Sequence, residues 1–186
     1  MSTGLHLTTE EFDRMVECGA FDHLNQKIEL IRGEIREMNP AGPLHDGLIT
    51  YMNNWSARNS RAGLTDVTSQ TGLSLPEQHS KPEPDLMWLK AGRYLKRHPT
   101  GSDVQLAIEV SYSSSKSDLL EKAVLYAEAG IGEYWIVDAS AGCVHVSLNP
   151  VAGEYTDRSI AKPGEFLAPQ VCSAAKLDIS DLFAEE

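Results

Sequence analysis

The sequence predicts an α/β protein, and two stretches carry that expectation. Leu106 to Asp138 runs from an apolar segment through a polar elbow and an amphipathic helix into a second apolar segment, the pattern of a βαβ unit. Lys27 to Met38 alternates apolar and charged residues on both sides of Arg32-Gly33, the pattern of a hairpin.

In chain order, Thr8-Thr9-Glu10-Glu11-Phe12 offers a threonine able to cap and acids in the first turn, which predicts a short helix through about Val16, ending before Gly19. The hairpin pairs Ile28-Glu29-Leu30-Ile31 with Glu34 to Met38, and Asn39-Pro40-Ala41-Gly42-Pro43 breaks it. Leu44, Leu48, Tyr51, Met52 and Trp55 recur at helical spacing, predicting a helix from near His45 to Asn59. Val67 to Leu75 holds one or two short strands, Pro76 to Pro84 a polar loop, and Asp85 to Leu89 a further strand. A basic loop then leads to the apolar strand Val104 to Val110, on which Leu106, Ile108 and Val110 share one face and Gln105, Ala107 and Glu109 the other.

After the elbow, Asp118 with Glu121 resembles a capping box. Leu119, Leu120, Ala123, Val124, Tyr126 and Ala127 form a broad apolar helix face, and Gly130 stops it. Glu133 to Asp138 returns as a strand, and Ala139 to Gly142 turns it into Cys143 to Leu148. The Gly/Pro-punctuated stretch beyond leaves room for a last hairpin near Tyr155, and Ile179 to Phe183 for a terminal helical turn.

A chain of 186 residues is long enough for one well-buried core, so a single domain over residues 1–186 is expected, with its core over about residues 27–148. Cys18, Cys143 and Cys172 are odd in number and widely spaced, which points away from a disulfide framework or zinc ribbon and toward a reducing compartment. With no signal-like N-terminus and no apolar run of spanning length, a cytoplasmic location is expected. The net charge of -11 and pI near 4.9 argue against a protein that coats nucleic acid through a general positive field. Arg93, Lys96, Arg97 and His98 form one compact basic cluster, read more simply as a solvated loop than as a phosphate contact.

Glu109 ends an otherwise apolar strand, where an unpaired charge is costly to desolvate, and Pro84-Asp85 brings a second carboxylate to a strand. Helical periodicity sets Lys122 at the border of the apolar face, with its stem on the sheet and its amine at the edge. If the two strands are neighbours, their carboxylates meet, as consecutive strands often allow. Magnesium-like cations take one or two carboxylates plus water and phosphate oxygens, lower the pKa of bound water and steady in-line displacement at phosphorus. Lys122 would orient that water or support the developing anion. Each residue also has a plainer explanation: Asp85 as a turn-opening residue, Glu109 as a cap for the elbow amides, Lys122 as a surface partner of Asp118.

Pro84-Asp85 before a strand, followed by an apolar strand ending in Glu109, resembles the PD-(D/E)XK nuclease superfamily, although the residue two after Glu109 is Ser111 and not lysine. More specifically, Ile108 to Asp138 resembles the Uma-two family of restriction-endonuclease-like proteins, in which a helical lysine replaces the missing one; here that position is Lys122. The resemblance runs from about Leu7 to Val146 and takes in Glu29 to Ile35, His45, Pro84-Asp85, Ser111 to Ser115, Asp118, Tyr126, Gly130 and Tyr134 to Asp138. It implies a restriction-endonuclease-like central mixed β-sheet flanked by helices, with an N-terminal helix and β-hairpin. It also implies a phosphodiester-cleaving site for DNA, with Mg2+ or Mn2+ held by Asp85 and Glu109 and with Lys122 as the third catalytic residue. The family places a further acid at Glu29, to extend the metal shell or hold Lys122, although Arg36 as a cross-strand partner explains Glu29 as well. His45 is a candidate proton carrier or phosphate contact, or simply a helix-opening residue. Tyr126, Tyr134 and Trp135 read as core packing.

Ser113 to Lys116 satisfies S-x-x-K, but the companion motifs of penicillin-recognising acyl enzymes are missing. A catalytically degenerate scaffold or interaction protein is the stronger alternative. The hairpin and an apolar outer strand over Cys143 to Leu148 point to a homodimer.

Overall fold

The computed structural model describes residues 5–38, 42–112 and 116–184, without the side chains of residues 116–118. Helix α1 (Thr9–Glu17) begins on a full capping box, in which Thr8 Oγ1 accepts from the Glu11 amide and the Glu11 carboxylate accepts from the Thr8 amide. Strands β1 (Ile28–Ile31) and β2 (Glu34–Glu37) form the expected hairpin. Arg32 and Gly33 both take positive φ, 51° and 81°, as a two-residue turn matched to strand twist requires. A side chain at Gly33 would also strike His6.

Helix α2 (Pro43–Asn59) is followed by β3 (Thr65–Ser69), β4 (Leu86–Lys90) and β5 (Val104–Ser111). Helix α3 (Lys116–Glu128) crosses to β6 (Glu133–Asp138), which runs parallel to β5 and so completes the βαβ unit. Then come β7 (Cys143–Val151) and β8 (Glu154–Ala161), a small ladder of β9 (Phe166–Leu167) with β10 (Leu177–Asp178), and a last turn α4 (Ile179–Leu182). The main sheet has the order β3-β4-β5-β6-β7-β8, antiparallel at every pair except β5–β6.

Both faces of this mixed sheet are covered. Leu106, Ile108 and Val110 of β5 meet Trp55 of α2 together with Trp88 and Trp135. Ala107 and Met87 lie on the opposite side, with Tyr126 of α3 and Tyr134 of β6. Alternation along β5 therefore sends Glu109 to the α3 side, as its sequence position predicts. The tryptophans pack with ring centroids 5.6 and 6.2 Å apart, and the buried Trp88 indole donates to Ser56 Oγ at 2.9 Å.

One difference from expectation has a physical cause. Cys143–Val151 is not an outer strand: β8 pairs along it, so the strand that pointed to a homodimer is internal. The true edge, β8, exposes Glu154, Asp157, Arg158 and Ser159 and buries only Tyr155 and Ala161, so it lacks the apolar alternation of a strand, and its charges guard the open edge. The break at Asn39-Pro40-Ala41, the serine elbow Ser113 to Ser115 with its S-x-x-K pattern, and the Asp118 cap lie outside the described residues. Among the described residues no helix is long and apolar enough to cross a membrane. The three cysteines are free.

Ser56→Ala is expected to cost about 1–3 kcal/mol, since it leaves the Trp88 indole N–H buried without an acceptor. Denaturant unfolding measures this, and an unchanged midpoint would show that the hydroxyl contributes nothing there.

Candidate active site

The site is assembled where β4 begins and β5 ends. The last recorded β4–β5 pair is Leu86 with Ile108, so one further step of the register sets Asp85 opposite Glu109 and two set Pro84 opposite Val110. Proline has no N–H to give to that last rung. The Val110 amide donates to Asp85 Oδ2 at 2.8 Å, which orients the carboxylate. His45, in the first turn of α2, brings Nε2 to 3.5 Å from the same oxygen. That contact favours the imidazolium and raises the His45 pKa against the opposing effect of burial, with the Asp46 carboxylate adding to it.

Glu109 is buried on the α3 side. Its Oε1 accepts from the Tyr126 hydroxyl at 2.8 Å and from the Lys122 ammonium at 3.2 Å. Lys122 and Tyr126 stand one turn apart on α3, which lets one helix face deliver both donors. The ammonium also lies 3.3 Å from Glu29 Oε2, an ion pair without hydrogen-bond geometry, so among the described residues that buried oxygen has no hydrogen-bond partner. Arg36 stands opposite Glu29 in the hairpin register, but its guanidinium forks onto Glu121 of α3 at 2.5 and 3.0 Å. Of the two partners the sequence offers Glu29, the fold therefore supplies Lys122.

Two sheltered carboxylates, Glu109 and Glu29, thus share one ammonium, while Asp85 beside them takes His45 at the rim. Burial pushes the Glu109 pKa up to about 7; Lys122 opposes this, while the nearby Asp85 charge adds to it. Desolvation works against the Lys122 charge too, but Glu109 and Glu29 outweigh it and hold the ammonium above its ordinary value. Asp85, Glu109, Lys122, Glu29 and His45 are all brought together. The Tyr126 hydroxyl is the contact that sequence reasoning missed, and its signal was the four-residue spacing from Lys122 on one helix face.

The donor set suits a hard cation. Asp85 and Glu109 offer carboxylate oxygens, the cluster carries more negative than positive charge, and the Glu29 oxygen lacks a hydrogen bond. Among the described residues no group of three or more His, Cys, Asp or Glu side chains is arranged as a metal-holding set. Magnesium and manganese sites need fewer, since Mg2+ commonly keeps water beside one or two carboxylates.

The basic cluster does not rim this site. Arg93, Lys96, Arg97 and His98 are exposed ahead of β5, whereas Glu109 lies five residues into the strand, roughly 17 Å along it. Arg97 is already paired with Asp103 at 2.6 and 3.1 Å.

A six-stranded mixed sheet with helices on both faces, and an acidic pair beside a helical lysine, define a restriction-endonuclease-like protein. A family model named Uma2, described as "Putative restriction endonuclease", matches residues 9–180, and the chain belongs to that family. The crystal structure of a protein described as "a putative nuclease belonging to DUF820" from Anabaena variabilis is similar in fold, with a TM-score of 0.73 at 15% identity over 95% of this chain and 97% of that one. No curated protein matches the chain.

The raised Glu109 pKa has a consequence for stability. The folded protein holds that proton more tightly than the unfolded chain, so the associated stability is present below about 4.5 and is lost as pH rises through about 7. In metal-free buffer, Glu109→Gln should therefore gain stability relative to the parent as pH rises from about 5 to about 8. Denaturant midpoints across that range measure the difference, and a constant difference would overturn the assignment.

Proposed function

We propose that this protein is a metal-dependent endonuclease that hydrolyses DNA phosphodiester bonds, acting as a single domain over residues 1–186. The observation that carries the proposal is the Lys122 ammonium lying within hydrogen-bonding reach of Glu109 and beside Glu29, on the same sheet end as Asp85. Asp85 and Glu109 would hold Mg2+ or Mn2+, which when bound lowers the pKa of a water ligand and offsets charge on the phosphoryl oxygens.

This chain's own residues supply the rest. Lys122 keeps its proton, holds Glu109 through Oε1 and offers positive charge to the developing phosphorane. Glu29 keeps the lysine in place from the hairpin side. His45, whose charged form Asp85 favours, contacts a phosphate oxygen or carries a proton at the rim. The location consistent with three free thiols is the cytoplasm.

The test is incubation of purified protein with linear and supercoiled DNA plus Mg2+ or Mn2+, beside Asp85→Ala and Lys122→Ala. Each substitution is expected to lower cleavage by about 100-fold or more, the scale of losing one electrostatic contact to the transition state. Cleavage unchanged in both variants would indicate contamination. No metal-dependent binding or cutting by the parent would favour a degenerate scaffold.

A homodimer would present two such sites to a duplex, and with β7 internal it must pair through another surface. Light scattering at micromolar concentration is expected to give the dimer mass, and a monomer alone would overturn that assembly.

A further inference from the structure

We infer that Tyr126 is a positioning residue that sets which divalent cation the carboxylate pair accepts, by keeping one oxygen of Glu109 out of the coordination shell. The inference rests on the metal site proposed above.

Among the described residues, both donors that reach Glu109 meet the same atom: the Tyr126 hydroxyl and the Lys122 ammonium each donate to Oε1, at 2.8 and 3.2 Å. Tyr126 is fully buried, with its ring edge-on to Tyr134 at 5.0 Å, so the phenol cannot swing away without disrupting the core. An oxygen that already accepts from a phenol and an ammonium is a poor ligand for a second cation. Glu109 is left to bind through Oε2, as a one-oxygen ligand. That mode suits Mg2+ and Mn2+, since Mg2+ takes an octahedral shell at about 2.0–2.1 Å and keeps its waters. Ca2+ takes about six to eight oxygens and often gathers them by gripping a carboxylate through both atoms. The phenol therefore selects against Ca2+.

Tyr134 provides the control. It is equally buried in the same cluster, but among the described residues its hydroxyl has no hydrogen-bond partner, so Tyr134→Phe removes a phenol oxygen without releasing Glu109.

Calorimetric titration of Mn2+ and Ca2+ into the parent, Tyr126→Phe and Tyr134→Phe tests this without relying on cleavage. The parent is expected to bind Mn2+ at least about tenfold more tightly than Ca2+, and Tyr126→Phe to narrow that ratio by about tenfold, the scale of removing an outer partner of a metal ligand. Tyr134→Phe should keep the parent ratio. Equal affinities in the parent, an unchanged ratio in Tyr126→Phe, or the same change in both variants would overturn the inference. The parent comparison holds even if Tyr126→Phe fails to fold. If the parent binds neither cation, the metal site itself falls, whereas binding with no effect of Tyr126→Phe removes only the role given to Tyr126.

Discussion

The burial of Glu109 is the constraint on which the rest of the structure depends. A carboxylate on a strand covered on both faces cannot be left to solvent, and it needs donors from whatever packs above it. Helix α3 supplies them from one face, Lys122 and Tyr126, while the leucines, alanines and aromatic rings around them bury the helix against the sheet. The position of the helix is therefore set by apolar packing and by a charge that must be met. The hairpin is drawn in for the same reason, since Glu29 faces the ammonium and Arg36 ties the hairpin to Glu121 of the helix.

The parts of the fold that show in the sequence are those where burial imposes a pattern. Strands β4, β5 and β6 are interior and apolar, and Arg32-Gly33 marks the hairpin turn, so the βαβ unit and the hairpin can be read from the sequence. The buried face of α3 is narrower than expected, with Leu120 and Val124 exposed and Leu125 buried beside Ala123, Tyr126 and Ala127. Strand β8 shows less clearly because it is an edge: with little of it buried, its residues carry no period, so the turn signals allow a last hairpin near Tyr155, which β7 and β8 form, while Cys143 to Leu148 passes for an outer strand.

The candidate site divides in the same way. Asp85, Glu109 and Lys122 stand out because charged residues at apolar boundaries need a reason. Which partner Glu29 takes is decided by Arg36 reaching a helix 85 residues away in sequence, which no local pattern encodes. The Tyr126 hydroxyl is hidden for a different reason: an aromatic ring on a core face is fully explained by packing until its oxygen is found on a carboxylate. The compact basic loop lies a strand length from this site, with one arginine already neutralised by Asp103.

The Pro84-Asp85 step has a further consequence. The proline withholds a main-chain donor, and the neighbouring side chain occupies the amide of Val110 across the gap. One rung thus serves as both the seam of the sheet and the bracket for its acid. Fraying at that seam and release of the Asp85 carboxylate are therefore the same microscopic event.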